Sequence, residues 1–530
     1  MADKDPRVMT ARERYESLCP AREPYLRRAR EASALTIPSL ILPEGYSGAT
    51  DLEQPYQSLG SRGVNNLSSK FLLALFPPGS SFARLTIDDF LKEKIEARAG
   101  GGKDGDDART VFEEALAKVE RAVINRMEQA GSRATLSEAL KHLLVGGNVL
   151  VQELGDGGLR MYPLTQYVCK RDPQGNPVDI VVKQALSRMT LPPAALALVG
   201  DAGTERQTDK NGDETIDLFT RQRRIEGRWE AYQEVEGAEV PKSRGYYPID
   251  NPAFMAWRFA KSDGEDYSRG YVEEYIGDLR TVESLSQSVV DFAAEAARIV
   301  RFVNEAGVTD KDEYAKARSG AVLDGTADDI TTAGLDKVAD FQVASSVLER
   351  AEKRLEQAFL LFSGVQRDAE RVTAEEIRQL AAELETVSAG TYSVFGKEIQ
   401  LPLFSRVMLS MQKKHQLPML PKDAVSPKIV TGLAALGRTS DLQKLDILLN
   451  GLDQQFGTEA VAEYVPLGAV IRRKATALGI DVADMVRTEE QVQQIRQQKN
   501  MQSLTEKLGG PVIGAMSAAQ QNQEIPQNGR

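Results

Sequence analysis

The most constraining feature of this sequence is an apolar stripe between Ala344 and Phe362. Apolar residues recur there at i, i+3 and i+4 spacing, which places them on one side of an α-helix. The stripe consists of Ala344, Val347, Leu348, Ala351, Leu355, Ala358, Phe359 and Phe362. Glu349 and Lys353 add an i,i+4 ion pair to the same helix. Because such a helix must bury its stripe, it needs neighbours, from its own chain or from other copies of it.

Helical periodicity also occupies the first third of the chain and returns after its middle. The predicted helices cover Ala11–Leu35, Val64–Leu75, Ala108–Gln129, Thr135–Gly146 and Tyr271–Val303. We expect Pro20 and Pro24 to break or restart the first helix, because proline lacks the backbone donor that a helix needs. Thr135 and Glu138 have the spacing of a capping box, which favours a helix start at Thr135. The glycines of Ala99–Gly105 predict a flexible connector.

From Val149 to Trp257 the hydrophobic period shifts towards two, which favours β-strands. Ile216 and Leu218 alternate with other residues, and Trp229–Val235 is typical of the return strand of a hairpin. Gly200–Gly212 predicts a mobile loop. Further short strands are predicted at Ala321–Leu323 and Phe341–Val343. The predicted fold class is therefore α+β, mainly helical with a β-rich middle part.

The longest helical pattern begins where Thr373 and Glu376 have the spacing of a second capping box. Its apolar positions include Ile377, Leu380, Leu384 and Val387. Gly396 and Pro402 lie inside or beside it, so we predict a bend. The C-terminal third is helical in short pieces. After Leu508 the chain is rich in Gly, Gln and Asn, which predicts a frayed or disordered end.

The composition is that of a folded protein with an acidic balance of charge. The chain has 530 residues and a formal net charge of −11, from 66 Lys and Arg against 77 Asp and Glu. This balance argues against a protein that coats nucleic acid through a general basic surface. It suits a channel through which DNA slides, because each neutralised phosphate would add affinity and slow the DNA.

Cysteine usage and hydropathy limit the class of protein further. Two cysteines and two histidines are too few for a Cys-rich zinc site or a disulfide framework, and they fit a reducing compartment. The stretch Met1–Arg14 lacks the apolar core of a secretory signal. The longest apolar runs fall short of the length that spans a bilayer. We therefore expect a soluble protein.

The sequence lacks the signatures of nucleotide and metal chemistry. A Walker A loop needs Gly-Lys followed by Ser or Thr, but Lys103 and Lys397 of the two Gly-Lys pairs are followed by acidic residues. The segment Asp209–Thr220 has the first acidic spacing of a calcium loop but lacks its glycine and its closing glutamate. We predict no catalytic residue, no cofactor and no metal, and an ATP-driven motor is disfavoured.

Three groups of residues admit a chemical and a structural interpretation, and the structural one is favoured for each. His142 lies beside an apolar helical face and is predicted to be packed or partly exposed rather than a ligand. A set of acidic residues is predicted to form the solvated or subunit-facing side of a helix rather than catalytic pairs; these are Asp278, Glu283, Asp291 and Glu295. A set of methionines is predicted to fill the core rather than to bind a partner; these are Met408, Met411 and Met419.

Four sequence blocks resemble the head-to-tail connector (portal) proteins of short-tailed podoviruses. They are Thr36–Ser39, Ser61–Pro78, Glu370–Arg378 and Gln400–Leu403. The resemblance runs in the same order from about Tyr15 to Thr488–Gln491. It implies a portal protomer with wing, stem, clip and crown modules. The implied modules are the wing (1–270), the first stem helix (271–303), the clip (304–343), the second stem helix (344–362), the tunnel loop (363–371), a long bent helix with further wing (372–430), the crown (431–508) and a flexible tail (509–530).

The implied function is structural, without enzymatic activity. Portal proteins form a ring, a dodecamer, at one capsid vertex, which serves capsid assembly and is the channel for genome packaging and ejection. The implied partners are other copies of the chain, double-stranded DNA, the terminase large subunit, the major capsid and scaffolding proteins, the tail adaptor and the internal core proteins, and no membrane. The implied location is the host cytoplasm during assembly and then the virion.

The polar interruption Ser363–Arg371 is the candidate contact with DNA. Gln366, Arg367 and Arg371 lie in it between two helical patterns, where the resemblance places a tunnel loop. Arginine suits bidentate contacts with phosphates, and a plain solvated loop is the alternative. Two other functions stay open. A DNA-processing or packaging enzyme would need a nucleotide loop or an acidic metal cluster, and a scaffold would never form a ring.

Overall fold

The computed structural model describes most of the first 361 residues and shorter pieces beyond them. The described residues are 5–46, 50–78, 81–87, 103–199, 207–208, 214–297, 300–333, 338–361, 384, 394–420, 425–429, 448–457, 465 and 470–471. The chain divides into two compact units, Met1–Ala435 and Leu436–Arg530. Within the second unit, residues 448–456 are helical.

The first unit combines helices with antiparallel strands, which confirms the predicted α+β class. Its helices are α1 (Ala11–Ala34), α2 (Leu59–Leu75), α3 (Lys103–Gln129), α4 (Ser132–Gly146), α5 (Pro193–Leu196), α6 (Tyr271–Glu274), α7 (Ile276–Ala297), α8 (Lys311–Lys316), α9 (Val338–Ala358) and α10 (Leu401–Lys413). Its strands are β1 (Ala83–Ile87), β2 (Asn148–Glu153), β3 (Leu159–Pro163), β4 (Tyr167–Arg171), β5 (Pro177–Ser187), β6 (Gln207–Thr208), β7 (Glu214–Ile225), β8 (Arg228–Val235), β9 (Ala238–Glu239), β10 (Gly245–Pro248), β11 (Phe254–Arg258), β12 (Val300–Val303), β13 (Ile330–Ala333) and β14 (Val425–Ile429).

Helix α1 is continuous, so the break predicted at Pro20 and Pro24 is wrong. A capping box fixes its first turn, and the Glu234 carboxylate accepts a hydrogen bond of 2.6 Å from the Ala11 amide. Further along, the buried Arg22 guanidinium donates to carbonyl oxygens in and beside β4. These tertiary contacts outweigh the two backbone hydrogen bonds that the prolines remove.

The β-rich middle part is confirmed, and it forms two antiparallel sheets. The larger sheet has the strand order β10-β8-β7-β5-β4, with β6 paired to β7 and β9 paired to β8. The predicted hairpin is the β7–β8 pair, in which Leu218 lies opposite Val235. The smaller sheet has the order β11-β2-β3. Of the loop predicted at Gly200–Gly212, residues 207–208 form β6, and the rest lies outside the described residues.

Helices α2 and α3 both begin earlier than the sequence predicts. Helix α2 begins at Leu59, and its apolar residues from Val64 onwards are buried as expected. It ends at Leu75, shortly before the Pro77-Pro78 pair, which cannot continue a helix. Helix α3 begins at Lys103, inside the segment predicted to be a connector.

The capping box predicted for α4 is wrong, although its end is as predicted. The helix begins at Ser132, because the chain already turns at Gly131 in the left-handed conformation (φ 69°). Thr135 therefore lies within the helix, and its Oγ1 donates to a β3 carbonyl oxygen at 3.3 Å. At the other end Gly147 has φ 72°, the conformation that commonly ends a helix.

Helices α7 and α9 run antiparallel; together with the segments between them they are called the arm (residues 276–358). The helix predicted to reach Val303 ends at Ala297, and Val300–Val303 instead pairs with β13. Helix α9 begins at Val338, so the strand predicted at Phe341–Val343 is wrong, as is the one at Ala321–Leu323. Short apolar runs fit a strand and a helix equally well, which explains the error at Phe341–Val343, whereas Ala321–Leu323 has no regular secondary structure.

Near Pro402, where the sequence predicts a bend, a π-helical turn covers Gly396–Gln400 and leads into α10. Strand β14 follows and pairs antiparallel with β1. Met408 and Met411 pack in the core as predicted, but Met419 lies beyond the helix and is exposed. No helix in the described ranges is long and apolar enough to cross a membrane.

His142 on α4 gives the first prediction. The side chain is buried, and burial lowers the pKa of His142 to about 4. The folded state therefore favours neutral imidazole, and the stability that this provides is lost as the pH falls from about 6.5, the unfolded value, through the folded pKa. Full protonation would cost about 3 kcal/mol of the free energy of unfolding. We expect the variant His142→Leu to lose much of the pH dependence of urea unfolding between these values.

The exposed His415 supplies the control for this prediction. Hydrogen–deuterium exchange at the C2 position of both imidazoles, followed by mass spectrometry over the same pH range, reports on each ring separately. Slower exchange and a lower apparent pKa at His142 are expected. An apparent pKa near 6.5 at His142 would contradict the prediction.

Candidate functional site: the arm and its base

The residues predicted to contact DNA lie outside the described part of the chain. Gln366, Arg367 and Arg371 all belong to residues 362–383, which the structure does not describe. Described residues end at Leu361 on one side of this segment. The described part of the site consists of the arm and of the base on which it stands.

Two contacts at opposite ends set the pairing of α7 with α9. Near the base, the Arg354 guanidinium forms an ion pair with Asp278 at 2.6 Å. Towards the other end, the rings of Phe292 and Phe341 stack with centroids 4.7 Å apart. Because the first residues of α7 meet the last residues of α9, the two helices run antiparallel, and the arm is a hairpin of helices.

The apolar stripe on α9 is buried over only one half of its length. Ala351, Leu355 and Phe359 are fully buried in the core of the first unit. By contrast, Val347 is exposed, and Val343, one turn earlier on α9, is 63% exposed. On the facing helix α7, Val290 is 52% exposed. Several neighbouring apolar side chains left in solvent indicate a surface that meets another molecule.

An aromatic cluster holds the base of the arm. Phe359 at the end of α9 packs edge-on against Tyr271 of α6, with ring centroids 6.0 Å apart. Tyr271 contacts Phe259 at 5.8 Å, and Phe259 contacts both Phe71 of α2 and Phe395. Edge-to-face pairs of this kind stabilise beyond their area burial. Both helices of the arm are thus rooted in the core that α2 helps to form.

The segment between the arm helices, residues 300–333, is called the tip, and Asp329 organises it. The Asp329 carboxylate accepts hydrogen bonds from the hydroxyls of Thr326 (2.7 Å) and Thr309 (2.9 Å) and from the Val308 amide (3.0 Å). These bonds hold the pKa of the Asp329 carboxyl below its usual value. Gly307 lies so close to this carboxylate that a Cβ atom there would overlap it.

The acidic residues that admitted a catalytic interpretation have structural surroundings. Asp278 pairs with Arg354, and the Glu283 carboxylate accepts a hydrogen bond of 2.9 Å from the Tyr56 amide. Asp291 and Glu295 are exposed on α7. Among the described residues no group of His, Cys, Asp and Glu could hold a metal ion. The first five residues of the segment that resembles a calcium loop, 209–213, lie outside them, and residues 214–220 belong to β7.

Comparisons with known proteins agree with the sequence resemblance. The family model of the bacteriophage head to tail connecting protein matches residues 8–486. The chain belongs to this family. It is 39% identical over 495 residues to the portal protein of Escherichia phage T7, covering 92% of this chain and 90% of that protein. The portal protein of Enterobacteria phage T3 is 37% identical over 96% of this chain and 94% of its own length.

More distant relatives extend the match. The portal protein of Pseudomonas phage phiKMV is 30% identical over 90% of this chain and 92% of its own length. Among solved structures, a chain from the neck of an empty gene transfer agent particle covers 80% of this chain and 90% of its own, with 12% identity and a TM-score of 0.34. The predicted family is confirmed, and the chain is a viral head-to-tail connector, or portal.

Sequence reasoning missed several residues that shape this connector. Asp329 and Gly307 carried no recognisable signal, because their partners are spread over the tip. Gly63 lies within one of the four blocks that carry the resemblance, but its role became evident only from the fold. A Cβ atom at Gly63 would lie 2.5 Å from Cγ of Phe359. The glycine therefore lets α2 approach the end of α9.

The tip of the connector yields the second prediction. Replacing Gly307 by Ala should loosen residues 300–333, because the added methyl group must displace the Asp329 carboxylate; overpacking of this kind typically costs about 1–3 kcal/mol. Amide exchange across the tip, measured by mass spectrometry, should accelerate about tenfold or more. Gly277→Ala on α7 is the matched control, because a Cβ atom there meets nothing within 4 Å.

Unchanged exchange in Gly307→Ala would show that Asp329 does not organise the tip. The variant Asp329→Ala should loosen the same residues, whereas Asp324→Ala, an exposed carboxyl nearby, should not. The contribution of ionised Asp329 should also be lost as the pH falls from the ordinary carboxyl pKa through its lowered value, since protonation removes an acceptor.

Proposed function

We propose that this portal forms a closed ring at one capsid vertex, a dodecamer, whose arms stand side by side around a channel for double-stranded DNA. The observation that carries the proposal is the outer part of α9, where Val343 and Val347 are exposed, while Ala351 and Leu355 farther along the helix are buried. Identical copies can cover such surfaces by a head-to-tail interface, and repetition of that interface by rotation closes a ring. The portal proteins to which the chain is similar support this reading.

The proposed modules follow the described elements. The wing is assigned to residues 1–270. Helix α7 lies within the first stem helix (271–303), and most of α9 lies within the second (344–362). The clip (304–343) comprises most of the tip and the first residues of α9. The remaining assignments are the tunnel loop (363–371), the long bent helix with further wing (372–430), the crown (431–508) and the flexible tail (509–530).

The proposed tunnel loop touches DNA through Gln366, Arg367 and Arg371. Two guanidinium groups per subunit would contact phosphates bidentately. The acidic balance of the whole chain, a net charge of −11, keeps the channel from binding DNA too tightly, since many phosphate contacts would hinder sliding. The role is positional, without catalysis or cofactor: the ring lets DNA pass during packaging, retains it, and releases it at ejection.

The proposed partners follow from a ring that first admits DNA and later holds a tail. In the host cytoplasm the portal would meet the scaffolding and major capsid proteins, and then the terminase large subunit. In the virion it would contact the tail adaptor and the internal core proteins. The exposed apolar residues of the tip, Phe302, Val308 and Val322, offer one surface for such a contact.

Ring formation is the third prediction. The purified chain at micromolar concentration should run as one closed oligomer in light scattering and appear as rings in electron micrographs. The double variant Val343→Asp, Val347→Asp should shift the mass towards the monomer, because a carboxylate buried without a partner opposes association by several kcal/mol. Met189→Asp is the control, since Met189 is exposed outside the arm.

A monodisperse wild-type monomer would contradict the ring and favour a scaffold. Rings that survive both aspartates would place the interface elsewhere than on α9.

The tunnel loop gives the fourth prediction. The double variant Arg367→Ala, Arg371→Ala should form rings normally and show weaker packaging or retention of DNA in assembled heads, because the phosphate contacts are lost. The amount of protected DNA per head and its leakage over time measure the effect. Arg27→Ala, Arg62→Ala is the control, since both of these arginines are exposed on α1 and α2.

Normal packaging and retention in the tunnel-loop variant would make Arg367 and Arg371 simple solvated charges. Loss of the ring itself would place the loop in the subunit interface and overturn its assignment to the channel.

A further inference from the structure

The end of α9 has an unusual backbone. Leu360, the second residue after the helix, is left-handed with φ 52°. The Leu361 amide donates to the Glu356 carbonyl oxygen at 2.9 Å. This is the 6→1 hydrogen bond of the Schellman motif, a helix ending in which the left-handed residue is usually glycine. A side chain with a Cβ atom disfavours this conformation. Contacts from elsewhere must therefore hold the chain as it leaves α9.

Two polar side chains of α2 supply those contacts. Asn66 Nδ2 donates to the carbonyl oxygens of Phe359 (2.9 Å) and Leu360 (3.0 Å). Lys70 Nζ donates to the Leu360 carbonyl oxygen at 2.9 Å. The last carbonyls of a helix lack intrahelical donors and form the negative end of its dipole. The side-chain amide of Asn66 and the ammonium group of Lys70 supply hydrogen-bond donors to these carbonyl oxygens.

Lys70 is placed for this contact rather than for solubility. The residue is only 4% exposed, and burying an ammonium group is unfavourable unless it is hydrogen-bonded. Gly63, Asn66 and Lys70 follow one another at helical spacing, so they share a face of α2. Gly63 admits the Phe359 ring, and the other two reach past it to the backbone. These three residues are called the clamp.

The short helix that precedes α7 is tied to the same point. The Tyr271 hydroxyl, at the start of α6, donates to the Ala358 carbonyl oxygen at 2.8 Å. Three consecutive carbonyls, from Ala358 to Leu360, therefore each accept a side-chain donor from outside α9. This convergence fixes both the position of the helix end and the direction of the backbone beyond it.

We infer that the clamp is a positioning device. Asn66 and Lys70 set the direction in which the chain leaves α9, and thereby the placement of the residues that follow. The inference rests on the proposed portal function, which assigns those following residues to the tunnel loop. The clamp then determines how firmly the ring retains DNA, although no clamp residue is itself assigned a contact with DNA.

The first experiment measures the clamp in the purified protein. Lys70→Met and Asn66→Leu should each accelerate amide exchange at the end of α9, residues 355–361, by about tenfold or more, because the first removes one charge-assisted hydrogen bond and the second removes two neutral ones. The first half of α9 should exchange as before. Lys70→Arg should restore most of the protection. Arg62→Met removes an exposed cation from the same helix and should change nothing.

A second variant separates positioning from general stability. Leu360→Gly removes the penalty of the left-handed conformation, so combining it with Lys70→Met should recover protection at residues 359–361. If Lys70→Met merely destabilised the fold, protection would fall throughout the first unit and Leu360→Gly would not recover it. That outcome would overturn the inference, as would unchanged exchange in both Lys70→Met and Asn66→Leu.

The last experiment uses assembled heads. Lys70→Met rings should assemble normally but leak packaged DNA several times faster than wild-type or Arg62→Met rings, and Lys70→Arg should retain it. Altered exchange with normal retention would refute the positioning role while leaving the portal function intact. Wild-type protein that forms no ring would count against the proposed function instead, because the exchange experiment does not depend on assembly.

Discussion

The contact between Phe359 and the bare backbone of Gly63 is the constraint on which the arm depends. Phe359 is fully buried, and its ring lies where any side chain at position 63 would stand. Through Tyr271 the same ring connects α9 to the helix that precedes α7. Truncating a buried phenylalanine typically costs about 3–5 kcal/mol. Here the loss would also free both ends of the arm from the core, so the effect would extend beyond the cavity.

The sheet region relies on a different kind of interaction. Asp179 accepts hydrogen bonds from Arg221 of β7 at 2.8 and 3.0 Å and from Arg14 of α1 at 2.9 Å, all largely buried. Removing one partner of a buried ion pair leaves an uncompensated charge, which costs about 3–5 kcal/mol. Since only one placement of α1 brings Arg14 to Asp179, the ion pairs specify where the helix lies. The apolar cluster around Tyr15 and Phe219 then supplies the burial.

Much of this architecture could be predicted from periodicity, and the errors have physical causes. The β-rich middle, the end of α4 at Gly147 and the paired helices of the arm follow from local patterns. The break at Pro20 was wrong because Arg22 and Glu234 act from distant parts of the chain. The capping box predicted at Thr135 was wrong because Gly131 turns the chain earlier and the helix begins at Ser132. For the site, the four sequence blocks identified the family. The clamp could not be predicted, because it depends on the contact between α2 and the end of α9, which no local pattern reveals.

The two ends of the stripe have different surroundings within the described residues. Ala351, Leu355 and Phe359 lie in the core of their own chain, whereas Val347 is exposed in a single chain. Hydrophobic stabilisation is roughly proportional to the area removed from water. The base can therefore fold within one chain, whereas the exposed valines of the outer arm would gain further stabilisation from the neighbours that we propose. A subunit built in this way would reach assembly with the end of α9 already oriented by Asn66 and Lys70, so that each copy in the proposed ring would direct its chain beyond α9 in the same way.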